Sequence, residues 1–248
     1  MTLSRLDLFK MHLQRWITYL ACPLMIVACS LIFFLLRYRI RHLAELRREF
    51  TRLVPKNAPP TLVCLNHLTR IDSVILALAL MNPWKYLFNY SRLPWHVLEA
   101  RYINFWPLRF FCYLSKTIPV YRMGGRDQVR RTEARVKYRL THGELVVIFP
   151  EGHRSLTGRV DMTDYQYTIG NLLNELPDSQ VLCAYLRAEN QVGVGEIPTF
   201  GAQFDIKLSI LKPSTSQSGL RAARDLTGQV MEQLNRMEIE YFETKNRE

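Results

Sequence analysis

At 248 residues the chain is long enough for one globular domain with an appendage and a core of its own. With 48% hydrophobic, 11% aromatic and 22% charged residues, it does not have the composition of a disordered polymer. Thirty-three Lys+Arg against 22 Asp+Glu leave a net charge of +11. That charge favours anionic partners (nucleic acid, acidic lipid, phosphorylated substrates or an acidic carrier protein) without choosing among them. Five cysteines, Cys22, Cys29, Cys64, Cys112 and Cys183, are odd in number and lack C-x-x-C spacing. They read as buried thiols in a reducing compartment and argue against a disulfide or zinc framework.

In chain order, Trp16 to Leu36 is a run of 21 residues without a charge, long enough as a helix to cross a bilayer. The arginines that follow it, Arg37, Arg39 and Arg41, replace the small-residue cleavage site of a signal peptide. Positive charge is greater after the run than before it, which places the body on the cytoplasmic side of a membrane, the inner membrane if the source is bacterial. A second geometry competes with a single span. Leu6, Phe9, Leu13, Trp16 and Leu20 recur at helical spacing up to Pro23, leaving Leu24 to Leu36 as roughly 20 Å of helix. An in-plane amphipathic helix followed by a partly inserted one satisfies the same residues.

Residues 37–53 read as a basic interfacial helix, and the turn over Pro55 to Pro60 closes a membrane-associated segment, 1–53, ahead of a domain over 54–248. In that domain short apolar runs alternate with helical stretches. The expected class is α/β, a central mixed β-sheet flanked by helices. The strand candidates are Thr61 to Leu65, Tyr86 to Phe88, Glu144 to Phe149, Val181 to Leu186 and Phe204 to Leu211. Helices are expected from Asp72 to Met81, from Asp127 to Leu140, and from Gly219 to Thr244. The last carries Leu220, Ala223, Leu226, Val230, Leu234, Met237 and Tyr241 on one core-facing stripe.

Three short segments can carry chemistry. Asn66-His67-Leu68-Thr69-Arg70-Ile71-Asp72 follows the first strand. A carboxylate five residues beyond a histidine, in the first turn of the next helix, can fold back onto the imidazole, fix its tautomer and make it a general base. A surface histidine near a helix-capping aspartate would give the same string. Phe149-Pro150-Glu151-Gly152-His153-Arg154-Ser155 ends a buried strand and leaves Glu151 and Arg154 in a loop. There an arginine fork suits phosphate and a glutamate can accept a hydroxyl or orient that arginine; a mutual surface ion pair is the plainer outcome. Thr117-Ile118-Pro119-Val120-Tyr121-Arg122 ends a third apolar run in an arginine.

Together and in this order, the three segments resemble the glycerolipid acyltransferases of the 1-acylglycerol-3-phosphate acyltransferase family, over about residues 60–190. Asn66, His67 and Asp72 match that family's N-H-x4-D block. The resemblance implies that His67 is the catalytic base, with Asp72 as its partner. It also implies that Arg122, Glu151, Gly152 and Arg154 shape the pocket for a lysophospholipid or glycerol-phosphate acceptor. The donor would be a fatty acyl thioester on coenzyme A or acyl carrier protein, with no cofactor, no metal and no nucleic acid involved, and with membrane lipids as partners. His153 stands where the family usually has Thr. Arg101 is the candidate for the family's cation after the first block. The fourth block, usually a Val-Pro pair, is Val181-Leu182-Cys183-Ala184-Tyr185. An acyltransferase for a non-phospholipid alcohol such as an ornithine lipid fits the same residues, as does a hydrolase. A non-catalytic basic membrane-binding protein accounts for the charge and the apolar run but leaves the two loops unexplained. The basic stretch Arg126, Arg130, Arg131, Arg135, Lys137 and Arg139 reads as a solvated face or as a docking surface for an acidic carrier or anionic lipid.

Overall fold

The computed structural model describes residues 3–104, 106–121, 125–189, 191 and 197–247. Eight α-helices and seven strands follow in the order α1 (Arg5–Leu35), β1 (Arg39–Ile40), α2 (Leu43–Leu53), β2 (Thr61–Leu65), α3 (Asp72–Leu80), β3 (Trp95–Glu99), α4 (Ala100–Asn104), α5 (Trp106–Leu114), β4 (Thr117–Val120), α6 (Arg126–Thr141), β5 (Val146–Ile148), α7 (Thr168–Glu175), β6 (Gln180–Ala188), β7 (Gln203–Leu211) and α8 (Gly219–Lys245). The strands form one mixed sheet in the order β1-β7-β6-β2-β5-β3-β4. β6, β2, β5, β3 and β4 run parallel, and β7 is antiparallel to β6. This is the expected α/β class.

Every residue of β2 and of β6 is buried, as expected of strands covered on both faces, which is why they read as continuous apolar runs rather than alternating ones. One face, through Leu62, Cys64, Val146, Val181 and Cys183, packs on α6, α7 and α8. The other, through Val63, Leu65, Val147, Leu182 and Ala184, packs on α2 and α3. Each large aliphatic side chain so buried contributes about 1.5–3 kcal/mol. Of the α8 stripe, Leu226, Val230, Leu234, Met237 and Tyr241 lie in the first of these cores and Ala223 is buried, whereas Leu220 is exposed.

Two expectations are corrected. Tyr86 to Phe88 is not a strand. Pro83 starts a 3₁₀ helix there, the Asn82 side chain accepts from the Trp84 N–H, and the Tyr86 hydroxyl donates to the Ala77 carbonyl at 2.6 Å. A run of three apolar residues has no period to read. The strand in that region is β3, whose His96 and Glu99 interrupt the apolar pattern. Residues 37–53 are not one interfacial helix. Arg37 and His42 both have positive φ, so the chain turns twice, Arg39–Ile40 pair with β7, and α2 starts only at Leu43. α2 buries Leu46 and Phe50 in the core.

α1 is a single helix of 31 residues that continues through Pro23, so the segment is not divided there into two helices. Its Ser4–Asp7 capping box satisfies the first turn. The helix is also held against the body. Asp7 pairs with Arg135 at 3.1 Å, the Met11 carbonyl accepts from Arg139, and Gln14 donates to the Thr117 carbonyl of β4. Further along, Cys22 and Ile26 pack on Tyr86 and Tyr90. The chain beyond α1 becomes β1 at the opposite edge, so α1 crosses the sheet from one edge to the other. Its outer side is an unbroken apolar stripe: Leu6, Phe9, Leu13, Trp16, Leu20, Leu24, Val27, Leu31 and Phe34 are all exposed.

Candidate active site

The site lies at the carboxyl ends of β2 and β5, where the chain leaves β2 on one side and β5 on the other, the position at which open α/β sheets hold their ligands. β2 ends in Asn66, whose buried side-chain amide donates to the Leu186 carbonyl and accepts from the Leu186 N–H, at 3.0 and 2.8 Å. The amide thus continues the β2–β6 ladder by one step and fixes where the next residue, His67, leaves the sheet.

His67 Nδ1 lies 3.0 Å from Asp72 Oδ2. Asp72 is fully buried in the first turn of α3, and the same oxygen accepts the N–H groups of Leu68 and Thr69, each at 2.7 Å. Its other oxygen takes the Thr69 hydroxyl. A carboxylate held by so many donors stays an acceptor, so Nδ1 carries the proton and Nε2 presents its lone pair. Nε2 has no partner among the described residues, and the ring remains partly exposed. Phe149 stacks on the imidazole with centroids 3.9 Å apart and planes at 21°.

The loop after β5 clasps the same residue through its backbone. The His67 N–H donates to Glu151 Oε1 at 3.1 Å, and the His67 carbonyl accepts from the Ser155 N–H at 2.9 Å. Glu151 is fully buried and its Oε2 has no hydrogen-bond partner. Burial pushes its pKa up to about 7, against the lowering effect of the backbone N–H groups of His67 and Asp161. Gly152 has φ +70, and a Cβ there would sit 2.4 Å from Gln166 Cγ, so both conformation and space require glycine. Glu151 and Arg154 do not pair with each other. The half-buried guanidinium of Arg154 has no hydrogen bond or ion pair among the described residues, which leaves it open to an anion.

One other expected residue lies apart from this cluster. Arg101 stands in α4 just beyond β3, mostly exposed and paired with Glu99 at 3.0 Å. Arg122 falls outside the described residues. His153 lies at the surface, 3.6 Å from Asp164. Val181 to Tyr185 is wholly buried in β6, and the Tyr185 hydroxyl donates to Glu238 of α8. Glu238 also accepts the Val160 N–H, which ties α8 to the loop that carries Glu151 and Arg154. Sequence reasoning gave no role to Asn66, Thr69, Phe149, Ser155 or Glu238. The first four lie inside the two motifs, but nothing local marks Glu238.

A second polar cluster occupies the opposite end of the sheet. Glu144, just before β5, takes Arg15 at 3.1 Å, Arg139 at 2.9 Å and Lys116 at 3.4 Å. Lys116, itself buried, also donates to the Tyr90 and Leu93 carbonyls and lies over the Tyr90 and Trp95 rings. Burial alone would raise the pKa of Glu144, yet the cations around it hold it below the usual carboxylate value.

Residues 44–170, just over half of the chain, match the Acyltransferase family, and the chain belongs to it. The fold is similar to that of a solved structure, the 1-acyl-sn-glycerophosphate (LPA) acyltransferase PlsC from Thermotoga maritima, with a TM-score of 0.55 and 15% identity over 94% of this chain and 86% of that one. No curated protein matches the chain.

Proposed function

We propose that the protein moves a fatty acyl group from a coenzyme A or acyl carrier protein thioester to the hydroxyl of a lysophospholipid or glycerol-phosphate acceptor, as in the conversion of 1-acylglycerol-3-phosphate to phosphatidate. The observation that carries this reading is the His67–Asp72 pair: a buried, saturated carboxylate on Nδ1 and an open Nε2. Nε2 takes the acceptor's hydroxyl proton while the oxygen bonds to the thioester carbonyl carbon. The tetrahedral adduct then expels sulfur, and the departing thiolate takes the proton back from the imidazolium. The acceptor oxygen does the work of a serine, so no acyl-enzyme forms, and the proton traffic needs neither metal nor cofactor. Arg154 binds the acceptor phosphate. Glu151, neutral below about pH 7, holds His67 in place through the His67 backbone N–H.

The exposed stripe of α1 and its attachment along the body favour a protein that lies on a membrane with this helix in the interface. On α6, Arg135, Lys137 and Arg139 are paired within the fold, whereas Arg126, Arg130 and Arg131 are exposed and form no ion pair among the described residues. These three are where an acidic carrier would meet the protein.

The test is His67→Ala in purified full-length protein, assayed with labelled acyl-CoA and acyl carrier protein thioesters against 1-acylglycerol-3-phosphate and an ornithine lipid. Acyl transfer should fall by about 10²–10⁴-fold with the fold intact. Undiminished transfer refutes the mechanism. Thioester loss without an acceptor identifies a hydrolase, and preference for the ornithine lipid refutes the acceptor assignment.

A further inference from the structure

An open groove of about 700 Å³ runs beneath α1 at the end of the sheet away from His67. Its walls come from α1, from the turn that follows α2 and from the second 3₁₀ turn, Tyr90–Arg92. Three cations line it, Arg15, Lys56 and Arg92, against one carboxylate, Glu144, whose oxygens are already taken by Arg15, Lys116 and Arg139. Arg15 spends only Nε on Glu144, and its terminal amino groups have no other acceptor among the described residues. Lys56 is exposed and unpaired among the described residues, and the Nε of Arg92 is buried without a hydrogen-bond partner. At the mouth stand Trp16 and Phe88, both highly exposed, and Trp16 is also part of the apolar stripe of α1.

We infer that this groove binds the phosphate and glycerol of an anionic glycerophospholipid, separately from the acyl-transfer site. Net positive walls supply charge complementarity, and the volume is that of a small-molecule site. The mouth decides between a lipid and free phosphate. A lipid seated here runs its chains along Trp16, Leu20 and Phe88, in continuity with the stripe, whereas inorganic phosphate has no use for these side chains. The inference rests on the reading that α1 lies in the membrane surface. Bound lipid would fill the space under α1 and favour the docked helix by mass action.

The experiment is lipid retention by the detergent-solubilised full-length protein, read by native mass spectrometry after incubation with phosphatidylglycerol, phosphatidylcholine or inorganic phosphate. One phosphatidylglycerol should be retained in preference to phosphatidylcholine. Lys56→Glu, an exposed change that should leave the thermal melt unaltered, should lower retention by about tenfold, the equivalent of one charge-assisted hydrogen bond. Lys56→Arg should restore it. Arg154→Ala and His67→Ala should lose acyl transfer yet keep the lipid, so failure of the acyltransferase reading is seen separately. Equal retention of the two lipids, unchanged retention in Lys56→Glu, displacement of lipid by inorganic phosphate, or loss of lipid in Arg154→Ala would each overturn the inference.

Discussion

The two ends of the sheet carry the same kinds of side chain in opposite states. At the end that holds Glu144, the carboxylate takes three cations, and Lys116 has three acceptors and two aromatic faces. At the other end His67 keeps Nε2 open, Glu151 leaves Oε2 unpartnered and Arg154 has no partner among the described residues. Buried polar groups are costly unless satisfied, and at the Glu144 end the carboxylate and the lysine have their charged partners within the fold. The first cluster neutralises its own charges within the fold, and the second, on the proposed reading, presents its groups to an acceptor.

Substitutions can break that contrast. The largest effect on stability should come from Glu144→Ala, which leaves buried cations without their carboxylate. It should cost roughly 3–5 kcal/mol in chemical denaturation, while the folded fraction keeps its turnover. Activity lost in proportion beyond unfolding would make that end part of the site. Next comes Glu151→Gln. The folded pKa of Glu151 lies above its unfolded value, so the carboxyl binds a proton in the fold that the unfolded chain has released. Its contribution is complete below about pH 4.5 and lost as pH rises through about 7, worth roughly 3 kcal/mol over that window. The variant, which does not titrate, should therefore gain stability relative to the parent between about pH 5 and about pH 8. Parallel pH curves would show that burial does not control this group. The smallest effect is that of Phe149→Leu, which removes the ring stacked on His67. At about 0.5–1.5 kcal/mol for an aromatic pair, kcat/KM should fall by up to about tenfold.

Much of this was legible in the residues because it is local. The five-residue step from His67 to Asp72 needs only a strand end and a helix start to bring the two together, and Gly152 is marked by its own type. The helix α8 follows from periodicity that runs for several turns, and α3 and α6 from an apolar and a basic stretch of helical length. What escaped is what arises only in three dimensions. β3 is a strand because β5 and β4 flank it, despite His96 and Glu99. The backbone clasp between His67 and the loop at Glu151 and Ser155 joins segments more than eighty residues apart. Nothing local marks Lys116 or Glu144 as partners of Arg139, and the place of Arg15 beside them depends on where α1 lies. The resistance of α1 to Pro23 has the same origin: contacts along the body outweigh one missing hydrogen bond.

Because α1 contributes Arg15 and the Met11 carbonyl to the charged cluster, cutting off the first 35 residues to obtain a more soluble enzyme would leave Glu144 one cation short, deprive Arg139 of an acceptor and strip the cover from Tyr86 and Tyr90. The greasy leader is a keystone of the catalytic body, and a preparation lacking it would report on a damaged protein.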